Sequence, residues 1–167
     1  KAISARSTPN PSRKHEAHAL AWARLARTQR IGALTFHRLL ARFKTPAAAL
    51  EALPRVSNLT ALAEADAVTE LESAGALGAR LIASCEPDYP PLLAELDAPP
   101  PVLAVRGDPK WLKRPTVALV GSREGSGSAL MFAERIAADL GAAGFTVVSG
   151  LARGVDAAAH RGALATG

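Results

Sequence analysis

Apolar residues recur at helical spacing through the first half of the chain. Two such stretches fill residues 15–44 and meet at a turn at residues 30–32. Four apolar residues of the second stretch share one helix face at i, i+3, i+4 and i+7, namely Phe36, Leu39, Leu40 and Phe43. Thr45-Pro46 predicts the end of this helix and the start of a short one that Pro54 stops.

A further helix is predicted from Thr69, which stands at capping-box spacing from Glu72. Its apolar stripe continues as far as Ile82. We therefore predict a small all-helical module over residues 15–85. The pattern then changes, because six prolines lie between Pro87 and Pro101. Residues 86–101 are predicted to be a linker.

The last third of the chain alternates strand and helix patterns. Val102–Arg106 is one strand candidate, and two strand–loop–helix units follow it. Their strands are residues 116–120 and 145–148, their loops are residues 121–126 and 149–154, and their helices carry apolar positions from Ala129 to Ala143 and from Val155 onward. Gly144 stands where a left-handed helix cap is expected.

This βαβα order is typical of the beginning of a parallel, doubly wound sheet. The sequence therefore predicts an α/β protein, in which residues 102–167 form the first part of a Rossmann-like domain. Two or three parallel strands cannot bury both faces of such a sheet. We expect the domain to continue beyond Gly167, or another chain to complete it.

Composition narrows the class of protein. Apolar residues make up 49% of the chain and aromatic residues only 4%, which favours helix-rich or α/β structure. Residues 1–14 are polar and contain no apolar core like that of a signal peptide, so they are predicted to be a flexible leader. No uncharged apolar run approaches the roughly 20 residues of a membrane helix. Together with a single cysteine, Cys85, this predicts a cytoplasmic protein without a membrane partner.

Charge is distributed unevenly along the chain. Residues 1–44 contain ten Lys or Arg and one acid, Glu16, whereas residues 45–108 contain three Arg and ten acids. Residues 109–167 contain seven basic and four acidic residues. The basic segments can face a polyanion, although solvated helix faces explain such charge equally well.

The two glycine-rich loops carry the clearest chemistry. Each is predicted to leave the carboxyl end of a parallel strand and to enter the N-terminus of a helix, where unpaired N–H groups and the helix dipole attract anions. Glycines allow close backbone approach, hydroxyls can donate, and guanidinium groups suit phosphate. The predicted binding residues are Gly121, Ser122, Arg123, Ser126, Ser149, Gly150 and Arg153.

Two adjacent strand ends would present these loops as one electropositive pocket. Its ligand could be a nucleotide or a nucleic-acid backbone. Neither a P-loop nor a G-x-G-x-x-G fingerprint is present. Asp156 and His160 share a helix face and could form an acid–base pair. We interpret Asp156 instead as a first-turn acid and His160 as a hydrogen-bonding residue in the pocket. We predict no catalytic residue, no metal site and no cofactor, a small buried Cys85, and packing roles for Trp22 and Trp111.

The loop motifs resemble a known family. Residues 117–123 (VALVGSR), 148–156 (VSGLARGVD) and 159–164 (AHRGAL) closely resemble the DNA processing protein A (DprA) family. Residues 88–93 (DYPPLL), 100–103 (PPVL) and 106–107 (RG) are also similar to it. The helical module resembles that family's sterile-alpha-motif-like, helix-hairpin-helix-type domain.

The resemblance implies a protein that is not an enzyme. It implies binding of single-stranded DNA, protection of incoming DNA during natural transformation, loading of RecA recombinase, and a homodimer. By motif position it also implies phosphate contacts at Gly121, Ser122, Arg123, Ser149, Gly150 and Arg153. The sequence departs from the family after Ser126, where Gly127-Ser128 replaces the usual Tyr-Gly and changes the far side of the loop.

Two other functions are compatible with the sequence. One is a Rossmann-like nucleotide-binding enzyme of the nucleoside-monophosphate phosphoribohydrolase type. Its P-G-G-x-G-T-x-x-E motif does not occur in these 167 residues. In the other, the basic N-terminal module binds DNA and the Rossmann-like half is an assembly scaffold.

Overall fold

The computed structural model describes the backbone of residues 11–166 and the side chains of residues 17–166. The chain divides into two units between Pro109 and Lys110. Residues 1–10 of the predicted leader lie outside the described part of the chain. The last four leader residues, from Pro11 onward, belong instead to the first helix.

Four helices form most of the first unit. They are α1 (Pro11–Arg27), α2 (Ala33–Phe43), α3 (Pro46–Val56) and α4 (Glu64–Ala76). The predicted turn at residues 30–32 does separate α1 from α2. The largest side chains buried between the helices are Trp22, Leu25, Ile31, Phe36 and Leu53. The apolar positions of the sequence pattern therefore do meet in one core, with Leu39, Leu40 and Phe43 packed against it.

Two helix boundaries differ from the prediction. Thr69 lies inside α4, where its Oγ1 donates to the Ala65 carbonyl oxygen at 2.9 Å, so it caps nothing. Pro54 does not stop α3, which continues to Val56. Pro54 has no N–H to donate, but the turn around it still closes, because Ser57 N donates to the Leu53 carbonyl oxygen at 3.1 Å. The predicted start is correct, because Thr45 Oγ1 accepts from Ala48 N at 3.2 Å.

The first unit also contains a hairpin that the sequence did not predict. Strand β1 (Ala79–Ala83) pairs antiparallel with β2 (Val102–Arg106), so that Ile82 lies opposite Leu103. Gly78, with φ +69°, separates α4 from β1. Leu81 and Ile82 are therefore strand residues, not the end of a helix. The periodicity was misleading because tertiary pairing overrode a weak helical pattern.

The hairpin changes the domain boundary as well. Val102–Arg106 was assigned to the Rossmann-like part, but it belongs to the first unit. The predicted linker, residues 86–101, is the connection between β1 and β2 and contains a short helix, α5 (Pro91–Ala94). It is anchored rather than free, since Tyr89 is buried and the Pro99 carbonyl oxygen lies 2.8 Å from His37 Nε2 of α2.

Thr28 connects α1 to the segment before α4. It is 3% exposed, and its Oγ1 donates to the Arg24 carbonyl oxygen at 2.7 Å while accepting from Leu62 N at 3.0 Å. We expect Thr28→Val to lower the free energy of unfolding by about 1.5 kcal/mol, because the Leu62 N–H loses its partner. Urea unfolding followed by circular dichroism measures this. The exposed Thr69→Val is the matched control and should stay within about 0.5 kcal/mol; equal losses would contradict the role of Thr28.

The second unit has the predicted βαβα order. Strand β3 (Thr116–Ala118), helix α6 (Gly127–Ala142), strand β4 (Thr146–Val148) and helix α7 (Val155–Leu164) follow one another after a 3-10 helix at Pro109–Lys113. The strands are parallel, with Val117 opposite Val147. Gly144 has φ +87°, so the predicted left-handed cap is confirmed. The α/β fold class is confirmed as well.

Helices α6 and α7 approach each other closely at Gly162. A Cβ atom there would lie 2.8 Å from the Glu134 carbonyl carbon.

Large apolar side chains are exposed elsewhere on the surface of this unit: Val120, Met131, Phe132, Leu151 and Leu164. Completion of the sheet by further strands or another chain stays a prediction. None of the helices in residues 11–166 combines the length and apolar content needed to cross a bilayer.

Candidate nucleic-acid interface

Two loops leave the carboxyl ends of the paired parallel strands. The first loop comprises residues 119–126 and enters α6, and the second loop comprises residues 149–154 and enters α7. At their starts, Leu119 N donates to the Val148 carbonyl oxygen at 2.9 Å. Ser149 Oγ donates to the Leu119 carbonyl oxygen at 2.7 Å. The loops therefore begin side by side, as the parallel sheet predicts.

The loops also meet at their far ends. Val155 N donates to the Ser122 carbonyl oxygen at 3.1 Å. Gly154 has φ +82°, and a Cβ atom there would lie 2.7 Å from both the carbonyl carbon and the oxygen of Arg123. A backbone conformation and a contact of this kind both require glycine. The backbone that carries Arg123 is thus in direct contact with the residue after Arg153.

Two other loop glycines have a packing role. A Cβ atom on Gly121 would lie 2.7 Å from Cβ of Val155, and one on Gly150 would lie 2.9 Å from Oδ2 of Asp156. Both were predicted to let a ligand approach the backbone. In the structure they let the loops approach the first turn of α7.

The three loop serines differ in what their hydroxyls do. Ser149 uses its proton on the Leu119 carbonyl oxygen, so it holds the loops together and is not an outward donor. Ser126 caps α6 by accepting from Ala129 N at 3.3 Å, and Ser122 accepts from Glu124 N at 3.0 Å. Both residues are exposed. The Ser122 hydroxyl can still donate, whereas Ser126 Oγ also lies 3.0 Å from Ser128 Oγ, and either hydroxyl can be the donor in that bond.

Arg123, Glu124 and Arg153 are the exposed charged residues of the two loops. Among residues 17–166, neither Arg123 nor Arg153 has an ion-pair or hydrogen-bond partner, and both are exposed. Arg161 of the same unit differs, because it pairs with Glu134 at 3.1 Å. A guanidinium without a carboxylate partner keeps its planar set of donors available for phosphate.

Asp156, the acidic residue of α7, is hydrogen-bonded to the second loop. Asp156 is 7% exposed, and its Oδ2 accepts from Ala152 N at 3.3 Å, so it braces the second loop from the first turn of the helix. His160 was predicted to hydrogen-bond in the pocket. Its Nε2 is buried and has no hydrogen-bond partner among residues 17–166. It lies instead beside a cavity of about 270 Å³ that Trp111 and Phe145 also line.

Cys85, Trp22 and Trp111 lie outside the two loops. Cys85 is exposed, contrary to the prediction, with Sγ 3.7 Å from Nε2 of His18. Partial desolvation raises the pKa of its thiol, which makes it a poor nucleophile. Trp22 is buried at 4% exposure, as predicted, whereas Trp111 is 37% exposed beneath the Arg114 guanidinium. No group of three metal-ligating side chains occurs in the described part of the chain.

Sequence reasoning missed one unusual residue in the second loop. Leu151 has φ +56°, an uncommon conformation for a residue with a side chain, and it is 84% exposed. Nothing in the local sequence distinguishes it from the apolar residues of the neighbouring strand. Only the bend of the loop around Asp156 shows that it faces outward.

Fold and site together define an α/β protein in which a helical module precedes a Rossmann-like unit with two arginine-bearing loops. The family model described as "DNA recombination-mediator protein A" matches residues 80–167, which is more than half of the chain. A second model, "DprA-like N-terminal HHH domain", matches residues 16–75. The chain therefore belongs to the DNA recombination-mediator protein A family, as its loop motifs indicate.

Individual relatives agree with this assignment. The chain is 41% identical over 83 residues to Protein Smf of Synechocystis sp., covering 47% of the chain and 21% of that protein. It is 40% identical over 79 residues to DNA processing protein DprA of Streptococcus pneumoniae, covering 47% of the chain and 28% of that protein. The X-ray structure of the Streptococcus pneumoniae protein superposes with a TM-score of 0.56 and 27% identity, over 83% of the chain and 44% of that structure. The chain thus spans less than half of each of these proteins.

Proposed function

We propose that this protein takes part in DNA processing during recombination by binding single-stranded DNA at the two loops. The observation that carries the proposal is the pair of exposed, unpaired guanidinium groups of Arg123 and Arg153, on loops whose backbones touch at Gly154. The printed names of the relatives, DNA processing protein DprA among them, support it.

The proposed binding mode follows from the geometry. Arg123 and Arg153 would contact phosphate oxygens, with hydroxyl hydrogen bonds from Ser122 and Ser126. Gly121, Gly150 and Ser149 would shape the loops and would not contact the DNA. The two glycines pack against α7, and the Ser149 hydroxyl donates within the fold. Contacts of this kind position a nucleic acid without reading its bases.

The family resemblance extends the proposal to partners and cellular role. We propose that the protein protects incoming single-stranded DNA in natural transformation and loads RecA recombinase. It would act as a cytoplasmic homodimer without catalysing a reaction itself. Loading a recombinase requires the bases to stay accessible, and a phosphate-directed site leaves them so.

A salt series tests the proposal. We expect labelled oligothymidine to bind with log K falling linearly with log[salt], with a slope of about −0.7 for each neutralised phosphate. An affinity that is independent of salt would exclude the phosphate-binding loops. Release of free base from a nucleoside monophosphate would instead support the phosphoribohydrolase alternative.

A further inference from the structure

Helix α2 presents a basic face away from the core of the helical module. Thr35, Arg38 and Arg42 are exposed and share one side of the helix at i, i+3 and i+7. The other side carries Phe36, which is fully buried, and the partly buried Leu40. No acidic residue occurs anywhere in Ala33–Phe43.

The two arginines of this face have no acidic partner. Among residues 17–166, Arg38 makes no ion pair or hydrogen bond, and Arg42 contacts only the Phe43 ring, with Cζ 5.1 Å from its centroid. A cation held over an aromatic ring keeps its N–H donors available at its edge.

Two arginines of α1, in the same unit, are neutralised by acids of α4. Arg24 Nη1 lies 3.0 Å from Glu64 Oε2, and Arg27 forms two bonds to the Glu70 carboxylate through Nε and Nη2. The fold therefore uses the acids of α4 to neutralise α1 and leaves α2 without any.

The unpaired charges of Arg38 and Arg42 affect the stability of α2. Like charges at i and i+4 destabilise a helix by a few tenths of a kcal/mol, which offsets part of the favourable interaction of Arg42, in the last turn, with the helix dipole. They stand about 6 Å apart along the helix axis, which lets both reach one extended polyanion. The apolar side of α2 is packed in the core, so the helix has no apolar face left to insert into a membrane.

We propose that the α2 face of Thr35, Arg38 and Arg42 is a second contact for DNA phosphates, separate from the two loops. This inference rests on the proposed function for its ligand, single-stranded DNA, but not on the loops as the site. The contact would add to affinity through charge and not through base recognition.

The test compares four double variants of the 167-residue chain in the oligothymidine salt series, one of which is the loop variant Arg123→Gln with Arg153→Gln. Arg38→Gln with Arg42→Gln should raise Kd at 50 mM salt about fivefold and make the salt slope shallower by about 1.4, which is two phosphates. Arg55→Gln with Arg106→Gln removes the same charge from exposed positions of the same unit and should leave the slope unchanged. Arg38→Lys with Arg42→Lys should keep the slope, because it keeps the charge.

Each outcome decides the inference. If the α2 and control variants weakened DNA binding equally, the effect would come from net charge alone and the inference would be wrong. If the α2 variant kept its DNA affinity while Arg123→Gln with Arg153→Gln lost it, the α2 contact would be wrong and the loop site would stand. If only the α2 variant lost affinity, α2 would be a DNA contact and the loops would not. If the α2 variant bound anionic phospholipid vesicles less well but DNA equally, the partner would be a membrane and the inference wrong.

Discussion

Neutralising both loop arginines, Arg123→Gln with Arg153→Gln, is expected to raise Kd for oligothymidine at 50 mM salt about a hundredfold. Each guanidinium is exposed and unpaired among residues 17–166, so a bound phosphate would be its main partner. A hydrogen bond to a charged group contributes about 1.5–3 kcal/mol, and two such losses together produce an effect of this size. Fluorescence anisotropy across a salt series should also show a slope shallower by about 1.4.

The control for this variant lies in the same unit. Arg135→Gln with Arg161→Gln removes the same charge from α6 and α7, where Arg161 already pairs with Glu134. It should change Kd by less than about threefold, as expected for screened charges at a distance. The loop variant should keep its thermal unfolding midpoint, since neither side chain packs in the fold. A folded loop variant with unchanged affinity would contradict the loops as the binding site.

Gly154→Ala is expected to lower the free energy of unfolding of the second unit by about 3 kcal/mol and to weaken DNA binding with it. Alanine is strained at φ +82°, and its methyl group would occupy the space of the Ser122 and Arg123 carbonyl groups. The first loop would have to move away from the second, which would separate the two guanidinium groups. Urea unfolding and oligothymidine binding of the same variant measure both effects.

Gly144→Ala is the control that separates backbone strain at positive φ from the steric contact made at Gly154. Gly144 has a similar φ of +87°, but a Cβ atom there would meet nothing within 4 Å. We expect it to cost about 1 kcal/mol, from the left-handed conformation alone, with DNA affinity unchanged. If both alanine variants lost the same stability and bound DNA equally well, the contact between Gly154 and Arg123 would not hold the loops.

Much of the fold was predictable from local pattern. The helical spacing of Phe36 and Phe43 placed α2, and the glycine at 144 ended α6 as predicted. The βαβα order predicted that the two loops are adjacent, because parallel strands end at the same edge of a sheet. The predicted site residues all lie on these two loops, and their binding roles stay predictions.

Other features were outside the reach of local pattern. Leu81 and Ile82 fit a helical stripe and a strand equally well, and pairing with Val102–Arg106 decided the matter. Ser149 looked like a ligand donor until the position of the Leu119 carbonyl showed where its proton goes. Cys85 looked like a small core residue, and its exposure depends on how the β1–β2 connection runs.

The sequence by itself determined the helical module, the alternation of strand and helix after it, and the presence of arginines on two glycine-rich loops. These features depend on residues near one another in the chain. Tertiary structure decided which charges are neutralised, because Glu64 and Glu70 come from a distant helix to pair with α1 and leave α2 bare. It also decided that Gly154 touches Arg123, a contact between residues 31 positions apart that packing creates and periodicity cannot show.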